Sequence, residues 1–311
     1  TANIKFFCSR SGKILYGNND LNVDYIITTP YTFNTATGVI IYTKQYLSLL
    51  LRSIIIALKY KPASSDLNNA KYIVFSNSEF MPDLLPAIII SERLRTTLIV
   101  SCHLILPNYF FENGKFVFFP RLKSVGIFLL QRIGIWLCKL FADKIFLSNE
   151  IMRRDFIKHF NSPPAKLFVM RYGVELAKID AITPSTGIIY SACWLGRFHA
   201  QKGIFDLIDI WQEVCQRHRT AKLVIIGAGD LSFTNKMKNK ILQGKMQNNI
   251  YMVGNKPFTQ KFELFKSSKV FLFPSHYESY GIVALEAMAC KLPVVAYDLA
   301  EHRVNFPKGM I

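Results

Sequence analysis

Short apolar runs recur along this chain, each ended by a turn-forming or polar break and most followed by a longer helix-forming stretch. That alternation constrains the fold more than any other feature. In the first half, Tyr25–Thr28, Tyr72–Phe75, Thr97–Ser101, Lys144–Leu147 and Leu167–Met170 read as strands, and Val39–Tyr60, Ser124–Phe141 and Glu150–His159 as helices. Strands this short, separated by helices, predict an α/β fold with a parallel sheet covered on both faces. Leu176–Gly187 lacks strong periodicity, carries Pro184, Ser185, Thr186 and Gly187, and reads as a linker. The alternation then restarts, with strands at Ile188–Leu195, Lys222–Ile226, Ile250–Val253, Val270–Phe273 and Leu292–Ala296, and helices at Ile204–Arg217, Phe258–Lys266 and Ile282–Cys290. A length of 311 residues allows roughly two domains of about 150. The expected division is 1–175, a linker over 176–187, and 188–311.

Half the residues are hydrophobic, which excludes a disordered chain and supplies material for packed cores. The formal charge of +17 predicts attraction to anions: nucleotide phosphates, nucleic acid or an anionic membrane face. The six cysteines form no Cys-x-x-Cys pair, and several sit in apolar runs, as buried free thiols do in a reducing compartment. Thr1 in place of Met suggests that an N-terminal piece precedes the chain. Ser124–Leu147 is the most hydrophobic stretch, but its five charged or amide side chains argue against a membrane span.

In parallel sheets, ligands bind at the carboxyl ends of strands. The loop Gly196-Arg197-Phe198-His199-Ala200-Gln201-Lys202-Gly203 lies at such an end. There Arg197 can grip two oxygens as a fork while Lys202 supplies a mobile point charge, a plausible diphosphate clamp. The bland alternative is a solvated basic loop. Gly227-Ala228-Gly229 follows another strand but is not a full Gly-x-Gly-x-x-Gly, and a turn that needs no Cβ explains it as well. At Glu278-Ser279-Tyr280-Gly281-Ile282, a strand turns into a helix whose unpaired N–H groups suit an anion. Glu278 sits at the mouth of that turn, and Glu286 lies about two turns along, inside an apolar run where a half-buried carboxylate needs a partner such as a sugar hydroxyl pair. In the first half, the loop Pro30–Gly38, the loop Ser76–Glu79 and His103 fall at strand ends. His103 is balanced between a structural and a site role.

No His-Glu-x-x-His, Gly-x-Ser-x-Gly, phosphate-binding Gly-Lys loop, Asp-x-Asp pair or ligand-spaced Cys/His cluster is present, so a metal-dependent mechanism lacks sequence support. Val39–Tyr60 and Phe116–Lys139 carry basic residues among apolar and aromatic ones. They read either as core-facing helices or as faces that touch an anionic membrane.

Together these residues resemble the retaining nucleotide-sugar glycosyltransferases of family 4, which have the GT-B architecture. The likeness is strongest over 188–300. It rests on the ordered series Gly196-Arg197…Lys202-Gly203, Ile226-Gly227-Ala228-Gly229, Val253-Gly254, Phe273-Pro274-Ser275…Glu278-x7-Glu286-Ala287-Met288-Ala289 and Leu292-Pro293-Val294-Val295-Ala296. Ala142-Asp143-Lys144-Ile145…Ser148 and Tyr172-Gly173-Val174-Glu175 extend it more loosely into the first half. Tyr172 stands in place of the usual Asn, Ser279 in place of a common Gly, and the first loop keeps one glycine, Gly38.

The resemblance implies two Rossmann-like domains with parallel sheets facing a central cleft; that family usually continues with further helices, so the chain reads either as cut short at Ile311 or as a reduced member. It implies transfer of a sugar from a UDP-, GDP- or ADP-sugar, with retention and without a metal, to a glycan, protein-glycan or lipid-linked hydroxyl. Arg197, Lys202, Gly227, Tyr280, Gly281, Ile282 and Glu286 would hold the donor, with Glu286 on the ribose. His103 and Glu278 would contact the sugar, and Gly38 would belong to an acceptor or phosphate loop. The expected location is cytoplasmic, with an anionic membrane surface as a further partner and no specific nucleic acid. Alternatives are an epimerase or phosphorylase on the same fold, or a basic nucleic-acid binder, for which no accompanying motif exists.

Overall fold

The computed structural model describes residues 4–9, 23–29, 39–62, 72–106, 111–112, 115–116, 122–184 and 187–310. They divide into two compact units, one within Thr1–Phe110, Phe118–Leu147 and Met152–Val169, the other within Phe111–Val117, Ser148–Ile151 and Met170–Ile311.

The first unit opens on β1 (Ile4–Ser9) and β2 (Val23–Thr29), a parallel pair. Helix α1 (Val39–Lys59) follows, then β3 (Ile73–Ser76), α2 (Met81–Leu94) and β4 (Thr97–Cys102). Next along the chain, and grouped with the second unit, the short strands β5 (Phe111–Glu112) and β6 (Lys115–Phe116) pair antiparallel. Helix α3 (Leu122–Phe141), β7 (Lys144–Leu147), α4 (Glu150–Phe160) and β8 (Leu167–Val169) complete the series. A parallel sheet runs β3-β4-β7-β8. One face of it is sealed by Leu84, Ala87 and Ile88 of α2, Ile135 and Cys138 of α3, and Met152 and Phe156 of α4.

Among the described residues, one face of the sheet β3-β4-β7-β8 is not fully covered: Ile73, Phe75 and Phe168 are 62%, 50% and 42% exposed, with Phe146 packed between the latter two. Helices α1 and α3 bury one side, with Ala57 on α1 and Ile135 and Cys138 on α3. Each turns a wholly apolar stripe outward at helical spacing, Leu47, Leu51, Ile55 and Leu58 on α1 and Leu129, Ile133, Trp136 and Leu140 on α3. Among the described residues, no helix is long and apolar enough to cross a membrane.

The second unit begins with α5 (Leu176–Asp180), a short helix inside the stretch read as a linker, anchored by buried Ile179. Then come β9 (Ala192–Leu195), α6 (Ile204–Arg217), β10 (Leu223–Ile226), α7 (Leu231–Gln243), β11 (Ile250–Gly254), α8 (Phe258–Lys266), β12 (Phe271–Phe273), α9 (Ile282–Ala289), β13 (Val294–Ala296) and α10 (Ala300–Asn305). The strands are parallel in the order β11-β10-β9-β12-β13. Period-two alternation sends Ala192 and Trp194 to one face with Leu223 and Ile225, and Cys193 to the other with Val224 and Ile226. Helices α6 and α7 cover the first face, with Ile204, Leu207, Ile208 and Trp211 at helical spacing; α8 and α9 cover the second. This is a doubly wound Rossmann-type sheet.

Candidate functional site

In the second unit the chain winds outward from β9 through β10 to β11, then returns to the other side of β9 as β12 and β13. The order reverses between β9 and β12, and ligands of such sheets sit at that switch point, outside the carboxyl ends of the strands. The loops that follow β9 and β12 carry Arg197, Lys202 and Glu278, so the topology brings together the residues that spacing alone could only nominate.

Backbone contact fixes these loops. Gly203 has φ +63°, and a Cβ there would lie 1.7 Å from the Pro274 carbonyl oxygen. Gly227 has φ +135°, and its Cβ would lie 1.9 Å from the Gly196 carbonyl oxygen. No side chain fits at either position. The His276 N–H donates to Gln201 O at 2.8 Å, and the Gln201 amide donates to Tyr277 O at 3.0 Å. The Phe198 N–H donates to Ala228 O at 2.9 Å, which ties in the loop after β10.

On this frame Lys202 Nζ donates to Glu278 Oε1, with the two side chains only 20% and 9% exposed. Glu278 is therefore not at an open mouth but buried against its cation. Arg197 is exposed, and makes no hydrogen bond or ion pair with another described side chain. Burial holds the His199 imidazolium below its ordinary range, and the nearby Arg197 and Lys202 charges add to that. Tyr277 is pushed up by burial and by Glu278. Gly281, at φ +90°, is the N-cap of α9, and no side chain caps that helix start. The first-turn N–H groups of Ile282 and Val283 add donor potential beside the two cations.

Glu286 is half-buried on α9, and its partner is Lys261 of α8, Nζ to Oε1 at 2.7 Å. Sequence reasoning foresaw the need for a partner and missed this lysine, 25 positions away on another helix.

In the first unit His103 follows β4, its Nε2 2.8 Å from Asn77 O in the loop after β3. Beside it is a network that sequence reasoning did not single out. The buried Gln131 amide donates to Glu79 Oε1 at 2.6 Å and to Leu104 O at 2.7 Å, and its oxygen accepts from the Leu106 N–H at 2.8 Å. Burial raises the Glu79 carboxyl above its ordinary range. Gly38 lies outside the described residues. Among the described residues, no group of three His, Cys, Asp or Glu is placed to hold a metal ion.

Residues 190–304 match the family model described as Glycosyl transferases group 1. The chain is 25% identical to an uncharacterized glycosyltransferase of Methanocaldococcus jannaschii, over 77% of this chain and 67% of that protein. It is 36% identical to a second from the same organism, over 53% of this chain and 47% of the other. It is 27% identical to a glycogen synthase of Mycobacterium tuberculosis, over 58% and 44%. The chain thus spans about two thirds of the first of these relatives and less than half of the other two. Among solved structures, Anabaena HepE with UDP and glucose superposes with TM-score 0.65 at 17% identity, over 95% of this chain and 72% of that one. A Staphylococcus aureus TarM structure, crystallised with UDP and a GlcNAc-glycerol, gives 0.60 at 19%, over 81% and 45%. At such identities the likeness establishes the fold, the GT-B type, with its two parallel α/β units.

Proposed function

We propose that this chain, which carries a glycosyl transferases group 1 domain over residues 190–304, transfers a sugar from a nucleoside-diphosphate sugar to a hydroxyl acceptor with retention at the anomeric carbon. One observation carries the reading. Two cations, Arg197 and Lys202, and the uncapped start of α9 converge on the switch point of a doubly wound sheet, with Glu278 held among them.

In this reading Arg197 and Lys202 bind the diphosphate and offset the charge that develops on it as the glycosidic bond breaks. Fixed cations and dipoles in a partly dry site do this without reorganising. They supply the charge that a metal ion supplies elsewhere. The backbone at Tyr280, Gly281 and Ile282 adds N–H donors, and Gly227 lets the loop after β10 approach closely. Glu286 accepts from the ribose hydroxyls. Glu278 takes a donor-sugar hydroxyl, and Lys202 holds that carboxylate in place. His103 is assigned the sugar contact that the resemblance implies. No second carboxylate is assigned as a covalent nucleophile, so the acceptor hydroxyl attacks from the face that the diphosphate leaves. The UDP in the HepE and TarM structures supports a nucleotide donor of that class.

The acceptor is proposed to be a glycan or lipid-linked hydroxyl, with the enzyme cytoplasmic and peripheral on an anionic membrane. The outward stripes of α1 and α3 support this. Their helices carry Lys44, Arg52, Lys59, Lys123, Arg132 and Lys139 and not one Asp or Glu, the charge pattern that suits anionic headgroups.

A thermal-shift screen against UDP, GDP, ADP and their sugar conjugates tests the donor. A bound donor stabilises the fold by mass action, whereas no shift with any of them overturns the reading. Incubation with the stabilising donor then separates reaction classes: slow release of free sugar and nucleotide fits a transferase, and an epimerised donor refutes it.

A further inference from the structure

We propose that Lys261 is a positioning residue for nucleotide ribose. It fixes the carboxylate of Glu286 and so sets how strongly the site prefers ribose over deoxyribose. The inference rests on the donor reading given above.

The geometry is specific. Lys261 Nζ lies 2.7 Å from Glu286 Oε1, and each side chain is 16% exposed. The ammonium is itself held, 4.4 Å from the Phe262 ring centroid and 5.7 Å from that of Phe258. Cation–π contact of this kind fixes a lysine that would otherwise sample many rotamers. Among the described residues, no other donor bonds this carboxylate.

A carboxylate at this depth has lost much of its hydration and needs a partner. A cation on one oxygen offsets that loss and stops the group from rotating. An ionised carboxylate only accepts hydrogen bonds, and Oε2 is left to accept them from a ligand. Two vicinal hydroxyls are the donors such a group recognises best, and removal of one of them from the ligand leaves a charged acceptor short of a partner. Hydrogen bonds to charged groups are strong enough that this loss is worth roughly tenfold or more in affinity. Lys261 thereby acts through Glu286, without itself touching the nucleotide.

The competing account is a structural tie between α8 and α9. Such a tie would alter stability and every ligand's affinity alike, so the decisive readout is a ratio. Dissociation constants for UDP and for 2′-deoxy-UDP and 3′-deoxy-UDP are measured by calorimetry on the whole chain. The wild type is expected to prefer UDP by about tenfold or more, Lys261→Met to lower that preference to about threefold or less, and Lys261→Arg to restore most of it. A Glu286→Gln background provides a second arm. There the preference is already low, and adding Lys261→Met should change it no further. A Lys261→Met variant with the wild-type preference overturns the role of Lys261 alone, as does a further loss in the Glu286→Gln background. A wild type that binds UDP with no preference for ribose, or binds no nucleoside diphosphate, overturns the ribose or donor reading itself and this role with it.

Discussion

Lys202 and Glu278 stand 76 residues apart in sequence and are joined Nζ to Oε1, one on the loop after β9 and the other on the loop after β12. With its side chain only 9% exposed, Glu278 depends on this cation to offset its lost hydration. Lys202→Met should lower stability by roughly 1–3 kcal/mol, because it strands a buried carboxylate, and should cut turnover by about tenfold or more. The double variant Lys202→Met/Glu278→Gln should regain part of the stability, since no uncompensated charge remains. Urea melts of the three variants check this, and simply additive losses would refute the coupling.

Arg197 offers the cleaner test of charge without structure. It is exposed, so Arg197→Ala should change stability by no more than about 0.5 kcal/mol. Turnover should nonetheless fall about tenfold or more if the guanidinium steadies the departing diphosphate. A wild-type rate removes Arg197 from the mechanism.

Metal removal addresses the same proposal from another side. With two cations doing the electrostatic work, activity after dialysis against EDTA should match that of untreated enzyme. Loss of activity that Mg²⁺ or Mn²⁺ restores would overturn the metal-free assignment.

Gly203→Ala should be severely destabilising, by more than about 2 kcal/mol, because a positive φ and a carbonyl oxygen 1.7 Å from the new Cβ act together. Gly187→Ala, where a Cβ meets nothing within 4 Å, is the control and should leave the urea midpoint unchanged.

Glu79 gives a pH signature. Burial raises its folded-state pKa, so between the unfolded and folded values the native protein holds more protons than the unfolded chain. Stability from this group is therefore greatest at low pH, falls as pH rises from the unfolded value through the folded one, and stays low above it. Glu79→Gln keeps the oxygen that accepts from Gln131 and removes the titration. Its melting temperature should match the wild type in acid and exceed it increasingly toward neutral pH. A constant offset across the range would sink the assignment.

The second unit was largely legible in the sequence because its strands are short apolar runs, four of the five closed by glycine or proline. Helix α2 was not read, since Pro82 and Pro86 look like breakers; Pro82 occupies the first turn, where a missing N–H costs nothing. Helix α7 was masked by its lysines and asparagines and is marked only by its Asp230 cap, whose Oδ1 accepts from the Phe233 N–H at 2.6 Å. The site's cations and carboxylates were visible as residues, but their pairing was not. Lys202 with Glu278 and Lys261 with Glu286 depend on which strand ends and helices become neighbours, and no local pattern encodes that.

The close approach of Gly203 to Pro274 and of Gly227 to Gly196 limits how this site can be remodelled, by evolution or by design. Loops whose backbones touch carbonyl to Cα cannot be lengthened one at a time, because an insertion in either would part the other from its support. A new donor preference must then arise through exposed side chains on the frame, as at Ile282. Libraries aimed at donor choice should therefore hold the loops after β9 and β12 at constant length and vary exposed side chains alone.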